Sequence, residues 1–303
     1  MKAVLIALAV IMLLAWINVR LQKRPLVDPL LEEFARPLAT VRELRARTRS
    51  LDRPAILVHS TDKSSTSFFG GAPPAFAGFA WPVCNGRPLS FLACIDLAGL
   101  PAGHGVEWLP SSGRLLFFYD MEKQPWGALT DRGGWKVMHV PASVAFTGDV
   151  PVPAALAAEW RVPRRHIEFV AAGLPPCWES PELEALKLSG DDVETFFDMR
   201  SSIYGHHPHH QMGGYPDPIQ NPEMDEDCEL ARQGVDSDTI DYEDPRLKEL
   251  TKGAADWSLL FQIDTDDDLD LMWGDCGMLY FWIRREDAKR LKFDEAWLIL
   301  QCS

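Results

Sequence analysis

Three short motifs occur twice along this 303-residue chain, in the same order each time. Gly70-Gly71-Ala72-Pro73 is matched by Gly213-Gly214-Tyr215-Pro216, Leu92-Ala93-Cys94-Ile95-Asp96 by Leu260-Phe261-Gln262-Ile263-Asp264, and Gly113-Arg114-Leu115-Leu116-Phe117-Phe118 by Gly277-Met278-Leu279-Tyr280-Phe281-Trp282. Any one match can arise by chance. An ordered set of a Gly-Gly-x-Pro turn, an apolar strand ending in Ile-Asp and a Gly-x-Leu opening an aromatic strand is much harder to obtain by accident, and ordered self-similarity marks repeated architecture. The halves, residues 54–150 and 200–303, are expected to be related by duplication and to pair about a pseudo-twofold around one core.

Between the motifs, short apolar runs alternate with Gly, Pro, Asn and Asp, the pattern of strands and turns. It predicts strands at 55–59, 89–95, 114–119, 135–140, 167–171, 258–263, 278–283 and 296–301, and short helices at 181–188, 193–203 and 285–291. The expected class is α+β: mainly antiparallel sheet with short helices, duplicated internally and preceded by one N-terminal transmembrane helix. The helix rests on residues 3–19, which carry no charge and would span about 25 Å as a helix, just short of the hydrocarbon core. No small-x-small cleavage site follows the run, so an uncleaved anchor is preferred to a signal peptide. The organisation is then an anchor (1–24), a helical linker (25–53) and a single duplicated domain (54–303). Arg20, Lys23 and Arg24 outnumber Lys2, which places the domain on the cytoplasmic side of the inner membrane. Six cysteines without a CxxC pair do not settle the redox compartment.

The formal charge of −14 and the lack of a basic cluster beyond the anchor flank argue against nucleic acid as a partner. The acid is concentrated. Residues 217–244 hold eleven Asp or Glu against Arg232, and residues 264–270 add five more. Such blocks usually stay solvated, so a polar loop followed by a turn is the first reading and a surface for a basic protein partner the second.

The motifs also carry a family resemblance. Phe69-Gly70-Gly71-Ala72-Pro73 with Trp81-Pro82, the run Leu89 to Leu97, Leu115 to Asp120, His210-Gln211-Met212-Gly213-Gly214-Tyr215-Pro216-Asp217, and Leu259 to Asp264 running on into Met272 to Ile283 resemble the YwqG-like family of bacterial proteins. The resemblance covers about residue 54 to the C-terminus. It implies a duplicated α+β fold dominated by antiparallel sheet and brings no established catalytic residues. Its association with toxin–immunity neighbourhoods implies a binding role.

His206, His207, His209 and His210 are half of the chain's eight histidines, and with Asp264, Asp266 and Asp268 they form the candidate metal set. Neighbouring histidines on a loop point apart, so His210 reads first as a hydrogen-bonding residue. The carboxylates of residues 264–275 fall at several calcium-loop positions, but Leu269 replaces the turn glycine and Asp275 the bidentate Glu. A polar turn is preferred there. Trp273-Gly274-Asp275-Cys276 is either a small polar pocket or a tight turn with Trp273 in the core, and Cys276 as a nucleophile would need a base beside it. The candidate ligand contacts are His210, Gln211, Tyr215, Asp264, Asp266, Trp273 and Asp275. No cofactor is implied. These observations favour a noncatalytic, membrane-tethered module that engages a protein partner through an acidic face or inter-half cleft. The alternatives are a metal-dependent or hydrolase-like enzyme using His210 with those carboxylates, and a structural envelope component.

Overall fold

The computed structural model describes residues 40–188, 192–237, 239–241 and 244–303. The chain divides into two compact units, Met1–Ser50 with Leu188–Met199, and Leu51–Lys187 with Arg200–Ser303. In the first, residues 40–48 are helical. There Thr48 Oγ1 bonds back to the Leu44 carbonyl at 3.0 Å, the usual outlet for a threonine hydroxyl inside a helix.

The second unit contains twelve described strands: β1 (Arg53–Thr61), β2 (Phe68–Phe69), β3 (Val83–Cys84), β4 (Arg87–Pro88), β5 (Ser90–Asp96), β6 (Arg114–Tyr119), β7 (Trp135–Val140), β8 (Arg165–Leu174), β9 (Gln211–Gly213), β10 (Trp257–Asp264), β11 (Met278–Arg284) and β12 (Trp297–Gln301). Ten join one sheet in the order β12-β11-β10-β9-β1-β8-β2-β5-β6-β7, while β3 and β4 form a separate hairpin. All the pairs are antiparallel, the longest being the nine-residue ladder of β1 on β8.

The sheet order reads alike from both ends. Each side runs from an edge strand through a long hairpin to a very short strand, then to one of the two central strands. The repeated motifs take matching places in that order. β2 and β9 run into the two Gly-Gly turns, whose φ values are +55° and +70° at Gly70 and Gly71, and +65° and +71° at Gly213 and Gly214. The β5–β6 ladder slips between Phe91 and Ala93, and the β10–β11 ladder between Leu259 and Phe261. These bulges fall at Leu92 and Leu260, the corresponding residues of the two copies, and a bulge bends a strand locally.

That bending matters because the sheet curls. On the inner face, the Phe117 ring of β6 meets Phe261 of β10 at 5.0 Å and Phe281 of β11 at 5.2 Å, although those strands stand far apart in sheet order. The two edges also meet. Trp135 of β7 lies edge-to-face on Trp297 of β12 at 5.0 Å, and its indole donates to the Ala296 carbonyl at 2.9 Å. Beside them the β6–β7 connection docks on the free edge of β12. Leu300 N donates to Trp126 O at 3.1 Å, and the Trp297 indole donates to Gly127 O at 3.0 Å. Covering an edge in this way satisfies groups that would otherwise recruit another strand.

The α+β class with a membrane helix ahead of it is therefore corrected. One antiparallel sheet runs through the whole unit and closes into a nearly complete ten-stranded barrel, with short helices appended. No described helix is long and apolar enough to cross a membrane, and residues 3–19 lie outside the described residues. Curvature decides this outcome, and the hydrophobic pattern of a strand carries no record of which distant strand its inner face will meet. β2 and β9 were absent from the predicted strands because two or three residues are too few to show a period of two.

Closure depends on Gly127, whose φ is +106° and whose added Cβ would lie 2.2 Å from the Leu298 carbonyl oxygen. Gly127→Ala is expected to lower stability by about 1–3 kcal/mol. Urea unfolding measures it, and an unchanged midpoint would show that the barrel does not need this approach.

Candidate functional site

After Gly214 the chain does not turn back into the sheet but crosses its outer face as a strap, residues 215–221. Four side chains from four successive strands hold it down. Gln211 of β9 donates to the carbonyls of Gly213 at 2.9 Å and Tyr215 at 2.8 Å. Gln262 of β10 accepts from Asp217 N at 2.9 Å, and Tyr280 of β11 donates to Asp217 O at 2.6 Å. Gln301 of β12 accepts from Ile219 N and Gln220 N, both at 3.0 Å, and donates to Asn221 O at 2.7 Å. The strap's backbone is thereby paired without any strand, as a partly buried backbone must be.

The matching positions of the first copy are Phe68, Cys94, Leu116 and Val140. These are buried and apolar. Phe76, Phe79 and Trp81 pack over them in place of a hydrogen-bonded strap. The duplicated stripe is thus greasy in one copy and polar in the other, and the polar copy gathers the histidines and carboxylates.

Two clusters form there. In the first, His209 Nδ1 lies 2.6 Å from Asp217 Oδ2, the buried Arg200 guanidinium lies 2.8 Å from Asp217 Oδ1, and the His209 ring stacks on Tyr204 at 3.9 Å. Burial pushes the Asp217 carboxyl up, but Arg200 and His209 outweigh it and hold the group below its ordinary range. Arg200 also donates to the Pro175 carbonyl at 2.6 Å. In the second, His210 Nδ1 accepts from Asp264 N at 2.9 Å, which places the ring proton on Nε2, 3.1 Å from Asp266 Oδ2. Burial raises the Asp264 carboxyl, whereas at Asp266 burial is outweighed by the His210 ring together with the Asp268 and Leu269 amides, and the group is lowered.

An imidazole bonded to one carboxyl, with a second carboxyl displaced the opposite way on the neighbouring residue pair, suggests acid–base chemistry. The geometry points elsewhere. Both His210 nitrogens are engaged, so neither faces a substrate, and the ring is buried against Phe69 at 5.0 Å. The first copy supplies the comparison: Ser67 occupies the place of His210. Ser67 Oγ accepts from Asp96 N at 2.9 Å as His210 Nδ1 accepts from Asp264 N. The carbonyls of Ser67 and His210 accept from Ile167 N and Val58 N, each at 3.0 Å. A residue at this point caps the end of the neighbouring strand, whether or not it can titrate.

Of the remaining candidates, Trp273 is buried in the core, its indole donating to Asp264 O at 3.1 Å. Tyr215 faces outward with the Arg53 guanidinium over its ring at 3.8 Å. His207 stacks on His59 at 3.9 Å, while His206, Asp268 and Asp275 are exposed. The residue 264–275 segment is a polar turn, Asp266 capping a one-turn helix (Asp267–Leu269) through Asp268 N at 2.9 Å. Among the described residues no group of three His, Cys, Asp or Glu side chains is arranged to hold a metal ion.

Sequence reasoning missed the open feature beside the strap. Its last residues, Gln220 and Asn221, form one wall of a cleft of about 200 Å³. The other walls are β12 with Trp297 and Ile299, the docked loop with Trp126, and Asp227 and Val235 on or after the helix Met224–Arg232. That helix lies inside the acidic stretch read as a solvated loop. The missed signal is Met224, Cys228 and Leu230, a buried face interrupting the acid. Glu229 is buried too and anchors the helix, accepting from Arg232 Nε at 2.8 Å, Gln233 Nε2 at 3.0 Å and the Trp257 indole at 3.0 Å. Burial alone would raise its carboxyl, but these donors bring it down to about 2.

A family described as a domain of unknown function (DUF1963) matches residues 67–302. The match spans well over half of the chain, which belongs to this family. The matched residues begin after β1, although β1 is central to the sheet. Comparison with curated proteins found no match.

Two predictions test these assignments. If His210 acts as a strand cap, His210→Ser should retain about 1 kcal/mol more stability than His210→Ala, since serine keeps the acceptor for Asp264 N; equal denaturation midpoints would remove that role. Glu229, lowered from an ordinary 4.5 to about 2 in the fold, contributes stability that is fully present above the unfolded value and is lost as pH falls through the folded one. Glu229→Gln should therefore destabilise the protein at neutral pH and flatten its stability profile between about pH 4.5 and about pH 2, as followed by melting across that range.

Proposed function

We propose that this member of the family is a binding module that receives a partner protein at the cleft beside β12, and that its buried histidine–carboxylate clusters maintain the wall of that cleft. The observation that carries the reading is a contrast between the two copies of the repeat. The groups with catalytic chemistry are internally paired and buried in the second copy, while Trp126 of the first stands 49% exposed beside the cleft. Its backbone is immobilised: the amides of Trp126, Gly127 and Ala128 all donate to Asp131 Oδ2, at 3.0, 3.1 and 3.2 Å. A large aromatic held out on a fixed backbone is the kind of residue that dominates interface energies. The resemblance of the strand motifs to YwqG-like proteins supports the same reading through their toxin–immunity associations. Acid–base chemistry at His210 ranks second, drawing on the opposite displacement of Asp264 and Asp266.

The test places a photocrosslinking p-benzoylphenylalanine at Trp126 in living cells. Val83, 58% exposed on the β3–β4 hairpin, serves as the control position. A discrete adduct at residue 126 and none at 83 is the expected result. Equal adduct patterns at both positions would overturn the assignment of the cleft.

A further inference from the structure

The chemistry of the cleft walls narrows what the partner presents. We infer that the cleft takes one basic side chain, arginine or lysine, from the partner protein, an inference that rests on the binding reading above. Size supports a single side chain: about 200 Å³ lies below the roughly 300–1,000 Å³ of pockets that enclose small molecules.

Charge selects the sign. Asp227 and Asp236 line the cleft, and none of the described lining residues is basic. Asp227 accepts from Asn221 Nδ2 at 3.1 Å, which orients its carboxylate at the cleft wall. The chain is strongly acidic overall, with a formal charge of −14, which favours the approach of a cation.

The aromatic walls fit the same guest. Trp126, half exposed, offers an indole face, the best aromatic surface for a guanidinium or ammonium group, and the buried Trp297 backs the wall behind it. The chain uses Trp297 in this way itself, with the Arg132 guanidinium 5.8 Å from the ring centre. Ile299 and Val235 supply apolar surface for the methylene stem, which long basic side chains bury while their heads stay polar. An acidic rim around an aromatic and aliphatic slot is complementary to both parts of a lysine or arginine and to neither an anion nor a plain hydrocarbon.

The experiment titrates the full chain with a blocked Gly-Arg-Gly peptide, its Gly-Lys-Gly counterpart, and the citrulline peptide that keeps the shape of arginine without its charge. The readout is the indole N–H resonance of Trp126, identified by Trp126→Phe. The basic peptides should move it saturably and less at high salt, and the citrulline peptide should leave it in place. Asp227→Asn with Asp236→Asn should weaken binding about fivefold, the range of two exposed charge contacts. An indole unmoved by either basic peptide, or moved equally by citrulline, overturns the inference. Should the double variant not fold, the comparison of arginine with citrulline on the unaltered chain still decides. A residue 126 crosslink that persists while the basic peptides fail leaves the binding reading standing and removes only the choice of guest.

Discussion

A chain that leaves a sheet and crosses its outer face must pair its backbone with something other than a strand. In this protein that requirement falls on residues 215–221, and four side chains projecting from β9, β10, β11 and β12 meet it. The rest of the second copy is arranged around that strap. Asp217 sits at its midpoint and draws in Arg200 and His209. Gln220 and Asn221, at its end, become the wall of the cleft. The first copy solves the same geometric problem with aromatic rings over Phe68, Cys94, Leu116 and Val140. Either chemistry covers the sheet, but only the polar one leaves hydrogen-bonding groups beside an opening.

The buried clusters illustrate how a structural demand imitates a catalytic one. An imidazole bonded to one carboxylate and near another, with their proton affinities pushed in opposite directions, has the outward form of an acid–base site. Its hydrogen bonds account for it differently. His210 Nδ1 completes a strand end at the place where a serine hydroxyl does so in the other copy, and Nε2 is then directed at Asp266. Buried polar groups need partners because leaving them unpaired costs about 1–3 kcal/mol each, and a residue that supplies two partners at once suits such a place. The matching places of the repeated motifs in the sheet make this comparison available within a single molecule.

Barrel closure and the cleft share one device. The β6–β7 connection satisfies the edge of β12 through Trp126 O and Gly127 O, and the same attachment holds the Trp126 side chain outward. Asp131 pins the loop from behind through three amides. A surface made this way has little to reorganise when it binds, which lowers the ordering cost that weakens flexible interfaces.

Much of the secondary structure was legible in the residue pattern. The strands 114–119 and 135–140 have the predicted bounds, and six others, together with the helices near 181, 193 and 285, differ only at their ends. Alternation and turn residues are local properties, so they survive reading in one dimension. The repeated Gly-Gly-x-Pro, Ile-Asp and Gly-x-Leu motifs were equally visible, because each answers a local need for a turn, a strand end or a bend. The closure of the sheet into a barrel was not visible, nor was the pairing of Gln211, Gln262 and Gln301 with a strap, nor the meeting of Trp126 with the acidic helix. Each joins residues far apart in the chain whose separate neighbourhoods look ordinary: a glutamine in a strand, a tryptophan in a loop, a methionine amid acid. Local residue pattern sets where the chain extends, bends and buries its aromatics. Which faces meet is settled in three dimensions, because sheet curvature is a cumulative property of ten strands and is encoded at no single position.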